Sequence, residues 1–240
     1  MERSSNVTWQ DGNISRTQRW QLLGARGATV WLTGLPASGK STIGAGLEER
    51  LVSAGRFAYL LDGDNLRHGI CGDLGFSEAD RTANIVRVGE VARLFADAGA
   101  IAIVALVSPV DASRTAVRER HERCGLRFIE VFIDTPLEVC KARDPKALYS
   151  RAQAGEIHGF TGVDAPYEPP SRADLRLSDD LTVPGAVAAV LDLLDGSNGS
   201  PGLDGSNGSA AHLGHDRLQT AAATRSGGIR LIHEQNGVGK

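Results

Sequence analysis

Hydrophobic and polar residues alternate along the chain in blocks that predict a repeating order of strands and helices. Short apolar runs rich in β-branched residues predict buried strands, and longer segments with apolar residues three or four apart predict amphipathic helices. The strands are predicted over residues 28–33, 57–61, 101–107 and 128–133, and the helices over residues 41–53, 81–98, 112–124 and 136–143. This order predicts an α/β fold, a three-layer sandwich with a mainly parallel sheet.

The pattern of apolar positions ends near residue 195. From there the sequence Asp-Gly-Ser-Asn-Gly-Ser occurs at residues 195–200 and again at 204–209, a tandem repeat of turn-forming residues with little to bury. Such a segment does not offset the entropy lost on folding, so residues 196–240 are predicted to be a flexible tail, mostly disordered. We therefore expect the domain over residues 26–195, with residues 1–25 as an N-terminal arm.

A glycine-rich segment between the first strand and the first helix predicts a nucleotide site. Residues 34–41 read Gly-Leu-Pro-Ala-Ser-Gly-Lys-Ser and fit the phosphate-binding pattern G-x-x-x-x-G-K-[ST]. In this pattern backbone N–H groups converge on phosphate, Lys40 reaches the β and γ phosphates, and the Ser41 hydroxyl suits Mg²⁺. A plain glycine turn is the alternative, which the flanking strand and helix disfavour. The predicted nucleotide-binding residues are Gly34, Leu35, Pro36, Ala37, Ser38, Gly39, Lys40, Ser41 and Thr42.

Polar residues follow the next two strands, at the edge where this fold binds ligands. Asp62 and Asp64 follow the second strand, where two carboxylates can hold hydrated Mg²⁺ and orient an attacking hydroxyl. Asp64 is the better candidate for the base, and an Asp-Gly turn is the alternative. Ser108 follows the third strand and is a candidate substrate contact or phosphoryl acceptor, although a serine before proline is more often a loop residue.

Basic residues and a glycine-punctuated stretch suggest a second anionic ligand. Arg81, Asn84 and Arg87 recur at helical spacing near Arg67, which fits either phosphate or sulfate recognition or a solvated basic face. Residues 143–149 and 155–162 predict a lid that excludes water and brings cations to the transferring group. Within it, Phe160 is a candidate for stacking on a base, with a core position as the alternative.

Composition excludes several classes of function. The net charge of the 240-residue chain is −3, which gives no global electrostatic case for nucleic acid binding. The three cysteines have no disulfide or zinc spacing, and the longest apolar run, residues 100–107, is too short to span a bilayer. The N-terminus lacks an apolar signal core. We therefore expect a cytoplasmic protein that binds neither nucleic acid nor membrane.

With these segments in place, the chain resembles the adenylyl-sulfate kinases, phosphate-loop kinases that phosphorylate adenylyl sulfate at the ribose 3′-hydroxyl. The resemblance covers about residues 6–182. It includes the phosphate loop, Asp-Gly-Asp-Asn at 62–65, Leu-Gly-Phe-Ser at 74–77, Val-Ser-Pro at 107–109 and the stretch 155–167. It implies ATP and Mg²⁺ as cofactors, adenylyl sulfate as acceptor, 3′-phosphoadenylyl sulfate and ADP as products, a homodimer, and ATP sulfurylase subunits as candidate partners.

The resemblance also implies roles for individual residues. Phe76 and Phe160 match the phenylalanines that stack on adenine. The predicted substrate-binding residues are Asp64, Arg67, Phe76, Arg81, Asn84, Val107, Ser108, Lys146, Gly159 and Phe160. The predicted catalytic residues are Lys40, Asp64 and Ser108, and the predicted metal ligands are Ser41 and Asp62, the latter through water. The serine matching Ser108 has been described as a phosphoserine intermediate in bacterial members; direct transfer to the substrate is simpler, and Ser108 is first a substrate contact.

Two departures from the family pattern leave the substrate open. Ala83 and Val86 replace a glutamate and an arginine around the Asn-Ile pair, and Val110 and Asp111 replace a tyrosine and an arginine. One alternative is a related kinase acting on another small hydroxyl compound, and another is a weakly active nucleotide-binding partner of a sulfate-activating complex. The aromatic pair disfavours the first, because a sugar or acid has no base to stack. The retained Lys40 and Asp64 disfavour the second.

Overall fold

A five-stranded parallel sheet forms the centre of the computed structural model, which describes residues 6–8, 10 and 12–196. Its strands are β1 (Ala28–Thr33), β2 (Ala58–Asp62), β3 (Ile101–Ala105), β4 (Arg127–Asp134) and β5 (Leu175–Ser178). Their order across the sheet is β2-β3-β1-β4-β5, so β1 lies between β3 and β4. The loop that follows β1 therefore lies in the middle of the sheet's carboxyl edge.

Helices cover both faces of this sheet. They are α1 (Arg16–Leu23), α2 (Lys40–Ser53), α3 (Gly63–Arg67), α4 (Glu78–Ala98), α5 (Asp111–Arg123), α6 (Leu137–Arg143), α7 (Leu148–Gln153) and α8 (Val183–Gly196). Helices α2 and α8 pack together on one face, and α4 and α5 pack on the other. The predicted three-layer α/β sandwich is confirmed.

The burial of the strands explains why their sequences read as continuous apolar runs. Every residue of β1 and of β3 is buried, as expected for inner strands of a sheet with helices on both faces. Alternate residues of β1 enter different cores: Val30 and Leu32 pack towards α2 and α8, whereas Trp31 packs towards α4. This two-sided core holds the phosphate loop on a rigid base.

The predicted strands agree with the structure except at the end of the third. Strand β3 ends at Ala105, so Val107 and Ser108 lie in the following loop, whereas the strand was predicted to reach residue 107. Ser108 has a positive φ of 40°, which turns the chain out of the extended conformation, and Arg114 Nη1 donates to its carbonyl at 2.6 Å. A backbone conformation this uncommon outside glycine is held by tertiary contacts that the apolar pattern does not reveal.

Several elements were not predicted. They are α1, α3, α7, β5 and α8. The signal for α8 was present, because Val187, Val190 and Leu194 recur at helical spacing and are buried. Helix α1 lies within the predicted N-terminal arm and begins with a capping box between Ser15 and Gln18.

The predicted tail is not tested. Residues 197–240 lie outside the described residues, and α8 ends at Gly196. Among the helices of the described part, none is long and apolar enough to cross a membrane.

Candidate active site

One cavity of about 710 Å³ opens at the carboxyl edge of the sheet, above the ends of β1, β2 and β3. Parallel sheets of this kind bind ligands there because the loops after neighbouring strands converge at that edge. All the predicted site residues line the cavity except Gly34, Leu35 and Gly159. Residues from widely separated parts of the chain thus share one space.

The phosphate loop needs glycine at two positions for different reasons. At Gly34 a Cβ atom would lie 2.6 Å from the carbonyl oxygen of Ile133, so any side chain would clash with β4. At Gly39 φ is 108°, in the left-handed region that favours glycine. Gly39 is also the N-cap of α2, and no side chain caps that helix start. The first backbone N–H groups of α2, together with its helix dipole, are therefore available to an anion.

Lys40 lies in the floor of the cavity and is held by its own loop. Its side chain is buried, and Nζ donates to the carbonyl oxygens of Gly34 at 3.0 Å and Leu35 at 2.6 Å and to the Ser38 hydroxyl at 3.2 Å. Burial lowers the pKa of the Lys40 ammonium to about 8. An added anion would favour the charged form and raise this pKa again.

The predicted metal ligands lie side by side. The Ser41 hydroxyl donates to Asp62 Oδ2 at 2.6 Å, and the other carboxylate oxygen of Asp62 accepts from the backbone N–H of Asp64 at 2.9 Å, which starts α3. These are hard oxygen donors, as Mg²⁺ requires. No group of three or more His, Cys, Asp or Glu side chains within metal-binding reach occurs among the described residues. Mg²⁺ typically takes one or two protein oxygens and completes its shell with water and phosphate.

The lid reaches the predicted base directly. Lys146, between α6 and α7, forms an ion pair with the Asp64 carboxylate, which raises the pKa of the Lys146 ammonium. Arg143 Nη1 donates to the carbonyl of Ser38 in the phosphate loop at 3.3 Å. Asp144 caps the start of α7 by accepting from the backbone N–H of Tyr149 and Ser150 at 3.0 Å each. Two cations of the lid are thus placed over the phosphate side of the cavity.

Three of the four residues of the predicted basic cluster lie in the cavity, and the fourth lies outside it. Arg67, Arg81 and Asn84 line the cavity, whereas Arg87 pairs with Asp73 and donates to the carbonyl of Ile70 on the outer side of α4. Asn84 is buried, and its Oδ1 is a buried acceptor with no hydrogen-bond partner. Buried polar atoms are rarely left unpaired, so this oxygen marks a place for a ligand donor.

Two arginines support the predicted aromatic pair. The Arg67 guanidinium lies 4.2 Å from the ring centroid of Phe76 and Nη1 donates to the carbonyls of Leu74 and Gly75 at 3.0 Å each. Arg81 Nε donates to the carbonyl of Phe76 at 2.9 Å, while its two terminal nitrogens donate to the carbonyl of Gly159 and the hydroxyl of Thr161. Arg81 therefore connects the loop that carries Phe76 with the loop that carries Phe160.

Ser108 lies in the cavity wall, but its hydroxyl is engaged inside the fold. Its Oγ accepts from Trp31 Nε1 at 3.1 Å and donates to Thr33 Oγ1 at 2.8 Å, and the residue is 2% exposed. Thr33 Oγ1 in turn lies 3.0 Å from the hydroxyl of Tyr167. This buried chain of polar groups stabilises the uncommon backbone conformation of Ser108.

Val110 and Asp111 do not line the cavity. The Asp111 carboxylate accepts from Arg114 Nη2 at 2.9 Å and from the Ser171 hydroxyl at 2.8 Å. These bonds lower the pKa of Asp111 although burial opposes the shift. The departure from the family pattern therefore lies in a contact between α5 and the segment before β5.

One wall of the cavity was not predicted from the sequence. It consists of residues at the end of β5, in the following loop and at the start of α8, namely Leu177, Ser178, Asp179, Leu181, Val183 and Ala186. β5 and α8 form most of this wall. Recognising the apolar spacing of α8 would have indicated it, because the loop between a strand and the next helix lies at the same edge of the sheet.

Comparison with known proteins gives a consistent result. The family model for adenylylsulphate kinase matches residues 26–178. The adenylyl-sulfate kinase of Klebsiella pneumoniae subsp. pneumoniae is 51% identical over 197 residues, covering 82% of this chain and 97% of that protein. The one from Escherichia coli O6:K15:H31 is 53% identical over 189 residues, covering 79% and 93%.

A solved structure extends this similarity to the fold. The APS kinase of Mycobacterium tuberculosis, in complex with AMPPNP and APS, is 50% identical with a TM-score of 0.70, and the similarity covers 71% of this chain and 99% of that chain.

Proposed function

The chain belongs to the adenylylsulphate kinase family, and we propose that it transfers the γ-phosphoryl group of ATP to the 3′-hydroxyl of adenylyl sulfate. The products are 3′-phosphoadenylyl sulfate and ADP. The observation that carries this proposal is that the phosphate loop and an arginine-supported aromatic pair line the same cavity. A donor nucleotide needs the first feature, and an acceptor that itself contains a base and an anion needs the second.

The phosphate loop is assigned to ATP. The N–H groups at the start of α2 and the ammonium of Lys40 bind the β and γ phosphates, because both present positive charge to the floor of the cavity. Arg143 and Lys146 of the lid add positive charge above them. Charge on the transferring group is stabilised by such fixed cations in a site that excludes water.

Mg²⁺ is assigned to Ser41 and Asp62. Their oxygen atoms are 2.6 Å apart, close enough to share one hydrated ion, with the Ser41 hydroxyl as direct ligand and Asp62 acting through water. Held by these two residues, Mg²⁺ would supply positive charge against the charge that develops on the phosphoryl group. Asp62 also orients Asp64, because it accepts from the Asp64 backbone N–H.

Asp64 is assigned as the base that orients and deprotonates the ribose hydroxyl. Its carboxylate is exposed in the cavity and forms an ion pair with Lys146. A base needs a free lone pair that points towards its proton donor. We therefore expect that, when the acceptor binds, the ion pair between Lys146 and Asp64 either breaks or leaves one carboxylate oxygen free for the ribose hydroxyl.

The acceptor is assigned to Arg67, Phe76, Arg81, Asn84, Val107, Ser108, Gly159 and Phe160. The aromatic rings are placed to stack on adenine, and the unpaired Asn84 oxygen supports a hydrogen bond from the acceptor nucleotide. Ser108 contributes to acceptor binding as part of the cavity wall. We propose direct transfer without a phosphoserine, because attack by Ser108 Oγ would break its bonds to Trp31 and Thr33.

Val110 and Asp111 support no second candidate function, since neither lines the cavity. Support for a cytoplasmic location comes from the cysteines, Cys71, Cys124 and Cys140, which are all free thiols. A homodimer and docking to ATP sulfurylase subunits are proposals that rest on the family resemblance. Sedimentation of the purified chain, alone and mixed with a sulfurylase, would test both.

The decisive experiment measures ADP release from ATP with adenylyl sulfate as acceptor, beside a panel of small alcohols, sugars and nucleosides. We expect strong stimulation by adenylyl sulfate alone, with the phosphate appearing at the 3′ position by NMR. ADP release that no acceptor stimulates, or that a sugar stimulates more than adenylyl sulfate does, would overturn the proposal.

A further inference from the structure

The loop of residues 159–165 is closed by a single carboxylate. Asp164 Oδ2 accepts from the backbone N–H of Gly159 at 2.6 Å, and Oδ1 accepts from the backbone N–H of Phe160 at 2.5 Å. These backbone hydrogen bonds lower the pKa of Asp164. Both oxygens of one side chain thus hold two consecutive residues of the backbone.

The remaining residues of the loop fold back on Phe160. The carbonyl of Phe160 accepts from the N–H groups of Val163 and Ala165 at 3.0 and 3.2 Å, and Gly159 has a φ of 68°, which lets the chain enter the turn. On the opposite side, Arg81 binds the carbonyl of Gly159. The peptide groups around Phe160 are therefore held from both sides.

The orientation of the Phe160 ring follows from this closed loop. The ring meets Tyr149 edge-on, with centroids 5.1 Å apart and planes at 87°, and it lines the cavity. The ring forms part of the cavity wall, which is where a base would stack on it. Tyr149 is buried and its hydroxyl donates to the carbonyl of Pro36 at 3.1 Å, so the edge contact is with a fixed neighbour.

We propose that Asp164 is a positioning residue for acceptor binding: its carboxylate holds the backbone of Gly159 and Phe160 so that the Phe160 ring is preorganised for the acceptor's base. This inference rests on the proposed function, which assigns Phe160 to that base. A ring presented by an open loop would first have to be ordered when the acceptor binds, and that ordering lowers affinity. Asp164 itself does not line the cavity.

The exposure of Asp164 makes the inference testable without loss of the fold. The residue is exposed and contributes no apolar surface to the core, so its replacement acts on the loop. Asp164→Asn keeps the shape and one acceptor oxygen, and Asp164→Ala removes both acceptors. Because hydrogen bonds to a charged group outweigh neutral ones, we expect the KM for adenylyl sulfate to rise about threefold to tenfold in Asp164→Asn and about tenfold to fiftyfold in Asp164→Ala.

The experiment compares both variants with the wild type and with Glu156→Gln, a control in the same lid. Glu156 is also an exposed carboxylate, but its partner is Arg151 of α7. We expect the KM for ATP and the melting temperature to be unchanged in all variants, and the amide hydrogens of Gly159 and Phe160 to exchange faster in the Asp164 variants only. Glu156→Gln should match the wild type throughout.

Three results would overturn the inference. An unchanged KM for adenylyl sulfate in Asp164→Ala, in an active enzyme, would show that the closed loop does not contribute to acceptor binding. Equal increases in the KM of both substrates, with a lower melting temperature, would show a general structural role. Unchanged amide exchange at residues 159 and 160 would show that the carboxylate does not hold this backbone, whatever the activity. A wild type without adenylyl-sulfate-dependent turnover would instead overturn the proposed function, and the role of Asp164 in binding with it.

Discussion

The two halves of the cavity are built in different ways. The phosphate half comes from one continuous segment between β1 and α2, in which Lys40 bonds to carbonyls only five and six residues away. The acceptor half is assembled from distant segments, and Arg81 reaches across 80 positions of the sequence to bind Thr161. A local motif carries its own geometry, whereas the acceptor half depends on side chains that join loops. We therefore expect substitutions in the acceptor half to affect one substrate and leave the other unchanged.

The largest effect is expected where the two halves meet, at Asp64. Asp64→Asn keeps the size of the side chain and removes the base, so turnover should fall about 10²- to 10⁴-fold with little change in either KM. Steady-state kinetics with both substrates measure this, and Asp192→Asn, an exposed carboxylate on α8, is the control. Near-normal turnover in Asp64→Asn would remove Asp64 from the role of base.

Phe160→Ala tests most directly whether the two halves of the cavity bind their substrates independently. Loss of stacking on one base is worth about 1–3 kcal/mol, so the KM for adenylyl sulfate should rise about fivefold to 150-fold. The KM for ATP should stay within about twofold of the wild-type value, because no atom of the phosphate loop changes. Measuring both constants in one preparation tests this. A parallel rise in both would mean that the halves are not separable.

Binding to the phosphate half and binding to the acceptor half of the cavity should differ in their dependence on pH. Lys40 has a lowered pKa of about 8, and bound phosphate raises it, so nucleotide binding takes up a proton above that pH. The affinity for ADP should therefore be flat below pH 8 and fall by up to about tenfold per pH unit above it. Arginines stay charged throughout this range, so acceptor affinity should not follow the same curve.

Calorimetry of ADP binding at pH 8.5, in two buffers with different ionisation enthalpies, counts the proton taken up. No difference between the buffers would contradict the assignment of the proton to Lys40.

The smallest effect on activity is expected for Ser108→Ala. The variant leaves the buried Trp31 N–H without an acceptor, which should lower the free energy of unfolding by about 1–3 kcal/mol. Turnover should remain within a few-fold of the wild type if the phosphoryl group passes directly to the acceptor. Denaturant unfolding and turnover assays measure the two quantities. A loss of turnover comparable with that of Asp64→Asn, in a folded variant, would favour a phosphoserine intermediate instead.

Features that depend on contacts between neighbouring residues in the chain were predicted from the sequence, whereas features that depend on contacts between distant residues were not. The strand bounds of β1, β2 and β4 agree with the sequence pattern to within one residue, because burial on both faces makes each an apolar run. The third strand was predicted to reach residue 107 but ends at Ala105, since the turn at Ser108 depends on Arg114 and Trp31 from other elements. Arg81, Asn84 and Arg87 have the same spacing, yet Arg87 pairs with Asp73 outside the cavity.

The sequence by itself determined the α/β order of elements, the phosphate loop and the family, because these depend on periodicity and on residues that are neighbours in the chain. It also indicated most of the residues that line the cavity. The tertiary structure alone decided which polar groups remain open to the cavity and which are used inside the fold: the Ser108 hydroxyl accepts from Trp31, Asp111 accepts from Ser171, and Arg81 donates to Thr161. Hydrogen bonds between distant segments have no period in the sequence, so only the folded chain shows where they form.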